Sequence, residues 1–169
     1  MNIRASFNGN QSKRNTTAIV NYIGSDPKRF AELVVIMFDG DHREVQCAAW
    51  PVSVVAEKNP QLLTPYLSRL VDMIPRMDIH NGARRGILRA LQFVEIPTRL
   101  KGRVYSYCID RISDPNEAVG VRGFALTVAA KIAREEPELL NELRLVVKTH
   151  LPKTQFSFRV RSRDLEREL

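Results

Sequence analysis

One pattern, returning at a fixed interval, constrains this chain more than any other feature. Val121-Arg122-Gly123-Phe124-Ala125-Leu126 leads on to Pro137-Glu138-Leu139-Leu140. Counting back from Val121 to Ala83, Ala83-Arg84-Arg85-Gly86-Ile87-Leu88 shows the same order of small, basic and apolar positions and leads to Pro97-Thr98-Arg99-Leu100. An equal step further back, Val45-Gln46-Cys47-Ala48-Ala49-Trp50 leads to Pro60-Gln61-Leu62-Leu63. Self-similarity at such a period is the mark of stacked like units, none of which can bury its apolar face alone.

The apolar residues that fill the repeat are mostly Leu, Val, Ile and Ala. With 44% apolar and only 7% aromatic residues in 169, the composition suits helices packed through aliphatic ridges better than a sheet. The expected fold class is therefore all-α. No apolar run is long enough to span a bilayer and Met1 to Lys13 lacks the apolar core of a signal peptide, so the expected location is cytoplasmic. Cys47 and Cys108 have no partners at metal spacing and read as small buried hydrophobes.

Along the chain, residues 1–14 read as a flexible N-terminal arm, 15–151 as the repeat domain and 152–169 as a basic C-terminal extension or cap. Ala18, Ile19, Tyr22 and Ile23 form an amphipathic stripe that Gly24 ends, and Asp26-Pro27 restarts a helix that runs to about Phe38. Asp41 and Glu44 have capping-box spacing before a third helix over about 42–58, where Pro51 predicts a kink and Trp50 is assigned to the core. A fourth helix starts near Pro60 or near Thr64-Pro65. A fifth opens at His80 or Asn81, a sixth at Pro97, a seventh after Asp114-Pro115 and an eighth at Pro137. Pro27, Pro60, Pro97 and Pro137 thus mark the second helix of each pair at nearly even intervals. The core column from those prolines reads Phe30, Leu33, Val34 and Met37; Leu63, Tyr66, Leu67, Leu70 and Ile74; Leu100, Val104 and Tyr107; Leu140, Leu143, Val147 and Leu151. Paired helices at a period of about 40 residues fall in the range of HEAT and armadillo arrays.

Asp114-Pro115 followed by Val121-Arg122 and Ala125 resembles the HEAT-repeat signature, and residues 15–151 look most like small stand-alone bacterial HEAT proteins. The resemblance implies a right-handed α-α superhelix, or solenoid, of about four helix pairs, with second helices lining a concave, partner-binding side. It also implies that Arg84 and Arg122 link adjacent units by hydrogen bonds to turn aspartates such as Asp78 or Asp114.

No catalytic constellation, phosphate loop or dinucleotide fingerprint is present, and no catalytic residue, metal ligand or cofactor is assigned. Asp39-Gly40-Asp41-His42 lacks the further ligands of a calcium loop, and His42, His80 and His150 read as turn or helix-end residues. HEAT-like DNA glycosylases are a remote comparison, since this chain is short for them and has one tryptophan. The expectation is a non-enzymatic scaffold.

The formal net charge is +7, with eight basic and three acidic residues in 76–111. An anionic partner is one reading. The face expected to be exposed on the second helices, however, mixes Arg29, Arg69, Arg99 and Arg103 with Ile36, Leu62, Ile109 and Val146. Apolar residues ringed by charge suit a protein or peptide groove, or else part of this set is inter-repeat core. The predicted function is an adaptor binding a protein or peptide partner. The alternative is nucleic-acid backbone binding through Arg99, Lys101, Arg103 and the tail residues Arg159, Arg161 and Arg163. Neither a membrane nor a small-molecule substrate is predicted.

Overall fold

The computed structural model describes residues 1–7, 12–76 and 78–150. Among these the chain is all-α, with eight α-helices joined by turns and short 3₁₀ segments. It divides into two compact units, Met1–Glu95 and Ile96–Leu169. The two helices of the third pair fall in different units.

The first unit holds α1 (Lys13–Ile23), α2 (Pro27–Asp39), α3 (His42–Lys58), α4 (Leu67–Met73) and α5 (Asn81–Leu91). Local chemistry sets each boundary. The Ser12 hydroxyl accepts from the Asn15 amide to open α1, and Gly24 closes it at φ 53°, a left-handed value that costs glycine nothing. Asp26 caps α2 ahead of Pro27. Before α3, Asp41 and Glu44 form the reciprocal capping box that their spacing predicts. Two 3₁₀ turns, Pro60–Leu62 and Thr64–Tyr66, precede α4, because a regular helix running on from Pro60 would need an amide that Pro65 lacks.

α3 is the axis of this unit. It packs on α1, α2 and α5, and nine of its residues are buried, Pro51 included. Only a narrow outward stripe is left, and Trp50 falls on it at 44% exposure, so the core assignment of Trp50 fails. The α3–α5 contact is close: a Cβ on Gly86 would lie 2.7 Å from the Ala49 Cβ and 2.8 Å from its carbonyl oxygen. A loose arm over 1–14 does not describe residues 1–7 either. Ile3 and Phe7, four apart, are 3% and 4% exposed, Arg4 pairs with Glu44, and the Asn15 side-chain amide donates to the Ser6 carbonyl.

The second unit holds α6 (Thr98–Ser113), α7 (Val119–Ala133) and α8 (Pro137–His150). α7 packs on both neighbours and α6 also packs on α8, so α7 is buried around most of its circumference. The expected core column is buried at Phe30, Leu33, Val34, Met37, Leu63, Leu67, Leu70, Ile74, Leu100, Val104, Leu143 and Val147. Leu151 and the extension 152–169 lie outside the described residues.

Candidate functional site

On the first unit, α2 and the segment leading into α4 present one continuous mixed surface. Val35 is 53% exposed, and Phe38, one helical turn later, shares its face. The Arg69 guanidinium stacks 4.1 Å above the Phe38 ring, and its Nη2 lies 2.5 Å from Asp39 Oδ1. Tyr66, a turn before Arg69, sits with its ring 6.4 Å from Phe38 and 6.0 Å from the buried Phe30. At the start of α2, Arg29 stacks 4.8 Å over Tyr22, donates to the Tyr22 carbonyl at 2.8 Å and pairs with Asp26. Leu62 is half-buried nearby in sequence. These stacked arginines are held in place before any partner arrives, which reduces the ordering cost of binding.

Ile36 does not belong to this surface. It is 6% exposed, and its neighbour Val35 takes the outward place assigned to it. At about 100° per residue, positions 35 and 36 fall on either side of the line through Glu32, and the packing of α3 against α2 decides between them. Val35, Phe38 and Tyr66 are therefore the residues that sequence reasoning missed here. The amphipathic pattern could have signalled Val35 only by breaking that tie.

In the second unit, Arg99 and Arg103 are exposed one turn apart on α6, whereas Ile109 and Val146 are half-buried. Lys101 does not join the two arginines. It is half-buried and pairs with Glu135 at 2.5 Å, because two residues along a helix turn a side chain through roughly 200°. A Cβ at Gly102 would meet nothing within 4 Å. Arg159, Arg161 and Arg163 lie outside the described residues.

The basic excess is largely engaged inside the protein. Arg89 lies over Phe93 at 5.2 Å and Trp50 at 6.0 Å and pairs with Glu57; Arg111 lies 5.4 Å over Tyr107 and pairs with Glu117. With Arg29 and Arg69, four arginines sit between a ring and a carboxylate. Of the eight basic residues in 76–111, Arg76, Arg89, Lys101 and Arg111 pair with carboxylates and Arg84 is buried against backbone carbonyls. The concentration of charge in the sequence is thus not a bare cationic stripe.

Among the described residues no group of three or more His, Cys, Asp or Glu is placed to hold a metal ion. Cys47 and Cys108 are buried, and burial raises both thiols above their usual range. His80 caps α5, its Nδ1 accepting from the Gly82 amide at 2.9 Å.

A family model described as a HEAT repeat domain matches residues 3–164. The chain belongs to the HEAT repeat family. No curated protein and no solved structure matches it. The match begins at Ile3, in keeping with the burial of Ile3 and Phe7. HEAT repeats form helical scaffolds that commonly mediate protein interactions. No described helix is long and apolar enough to cross a membrane.

Arg84 and Arg122 take the place of the HEAT arginine, and both donate to backbone carbonyls at the end of the preceding helix. Arg84 donates to the carbonyls of Ile74 and Arg76 and to the Asn81 side chain at 3.2, 2.9 and 2.7 Å. Asp78 pairs with Arg76 instead, which lowers the Asp78 pKa. Arg122 donates twice to the Ile112 carbonyl. Burial pushes the Arg122 pKa down, while the charges of Asp114 and Glu117 act against that shift. Each arginine ties the end of one pair's second helix to the first helix of the next pair.

Proposed function

We propose that this HEAT repeat protein is a non-enzymatic, cytoplasmic adaptor that binds a protein or peptide through its second-helix faces, with the α2–α4 surface of the first unit as the principal contact. The observation that carries the reading is Arg69 stacked on the part-exposed Phe38 and paired with Asp39, beside Tyr66 and the exposed Val35. Rigid aromatic and arginine side chains around an apolar centre are what protein-binding hot spots are made of. Arg29 extends the surface along α2, and Arg99 and Arg103 give the second unit a smaller polar one.

Affinity capture from the source cell, with the wild type, Arg69→Glu and Val35→Glu compared, tests this. The expected result is a partner protein retained by the wild type and lost from both variants while circular dichroism shows all three folded. Retention by both folded variants would sink the proposed surface. Tight nucleic-acid binding whose affinity falls steeply with salt, and that Arg99→Ala with Arg103→Ala abolishes, would instead favour the phosphate-binding alternative.

A further inference from the structure

We infer that the outer face of α3 and α5 in the first unit is a second docking surface, fitted to an acidic segment that carries a large apolar side chain. It is separate from the α2–α4 surface and does not depend on it. With α3 buried on its other sides, Trp50 stands outward at 44% exposure, and Val54, one turn on, is half-buried beside it in the stripe. The tight Ala49–Gly86 approach sets the outer stripe of α5 directly alongside. Arg89 from α5 reaches across, its guanidinium lying over the rings of both Trp50 and Phe93. Its Nη1 donates to Ser53 Oγ at 3.1 Å and its Nη2 to Glu57 Oε2 at 2.5 Å, which fixes the guanidinium between the rings. Trp50, Val54 and Phe93 thus form an apolar strip whose geometry is set before binding.

The sign of the surroundings selects the occupant. α5 carries three arginines and no carboxylate. Arg84 is buried and the Arg89 charge is offset by Glu57, but Arg85 is exposed, as is Lys58 on α3. The other acid on α3, Glu44, is turned away to the Asp41 amide and to Arg4. An exposed tryptophan stacked against Arg89, with Arg85 exposed one turn before Arg89 on α5, is complementary to glutamates or aspartates flanking a Phe or Leu anchor. A second copy of the chain would bring a net charge of +7 against this face, which argues against self-association as the occupant.

Trp50 is the only tryptophan, so its emission reports on this face directly. The wild type is titrated with three short synthetic peptides: glutamate-rich with two phenylalanines, lysine-rich with the same phenylalanines, and glutamate alone. The expected result is a saturable blue shift with the first peptide and none with the other two. Arg85→Glu and Phe93→Ala, each confirmed folded by circular dichroism, are expected to weaken it about tenfold or more. No shift with the first peptide, an equal response to the lysine peptide, or unchanged affinity in Arg85→Glu would overturn the inference. So would loss of binding on Arg69→Glu, which would move the peptide to the α2–α4 surface. A shift produced by raising the protein concentration alone would name a second copy as the occupant and overturn it as well.

Discussion

Arg122 Nε and Nη2 both donate to the carbonyl oxygen of Ile112, at 3.1 and 2.8 Å, with the arginine only 5% exposed. That carbonyl is among the last of α6, whose final four have no partner within the helix. The positive guanidinium also meets the negative end of the helix dipole. Ile74 and Arg84 show the same arrangement one repeat earlier. Arg122→Met should cost about 2–4 kcal/mol, the loss of a charge-assisted bond plus a buried, unpaired carbonyl. Urea unfolding measures it. A cost no larger than that of an ordinary surface substitution, under about 0.5 kcal/mol, would show that water replaces the arginine freely.

Two glycines inside helices should answer the same substitution with opposite signs. Gly86→Ala places a methyl group 2.7 Å from the Ala49 Cβ, so α3 and α5 must separate, at about 1–3 kcal/mol of stability. At Gly102 the added Cβ meets nothing within 4 Å, and the substitution should stabilise by about 0.5–1 kcal/mol through helix propensity alone. Thermal unfolding of the two variants, one falling and one rising in Tm, checks both.

The register of α2 can be tested at adjacent positions. Ile36→Ala removes a buried side chain and should cost about 2–4 kcal/mol, whereas Val35→Ala, at 53% exposure, should stay within about 0.5 kcal/mol of the wild type. Similar effects at the two positions would contradict the placement of α2 against α3.

Tyr105 links α6 to α8 by donating its hydroxyl to the Leu139 carbonyl at 2.7 Å. Burial, helped by the neighbouring Glu142 carboxylate, keeps its phenol protonated well above the ordinary tyrosine range. The folded pKa is raised above the unfolded value of about 10, so the contribution is full below about pH 10 and is lost as the pH rises beyond it. Tyr105→Phe should cost about 1 kcal/mol at neutral pH. The gap between wild type and variant should narrow in denaturant melts above about pH 10; a gap that stays constant would place the hydroxyl in water.

Phe7 and Ile3 belong to the packed first unit, so Phe7→Ala should cost about 3–5 kcal/mol. Denaturant unfolding with no measurable change would return residues 1–7 to the status of an arm.

The repeat, the helix ends and most of the core were legible in the sequence because they rest on local rules. The capping box of Asp41 and Glu44, the Asp26-Pro27 start and the column from Phe30 to Val147 follow from spacing and backbone chemistry within one or two turns. What sequence could not settle was which of two adjacent positions a third helix would cover. Val35 and Ile36 point in different directions from α2, and only the packing of α3 against α2 buries one and exposes the other. Trp50 reads as core from its place at the Pro51 kink, yet α3 is enclosed on its remaining faces and leaves it the outward stripe. Charge was misread in the same way. Composition located the arginines, but for Arg69 and Arg89 a ring and a carboxylate, Phe38 with Asp39 and Trp50 with Glu57, are far away in sequence and meet them only when the helices stack. Helix identity is a local free energy, whereas the surface a partner meets is what remains after distant helices have packed.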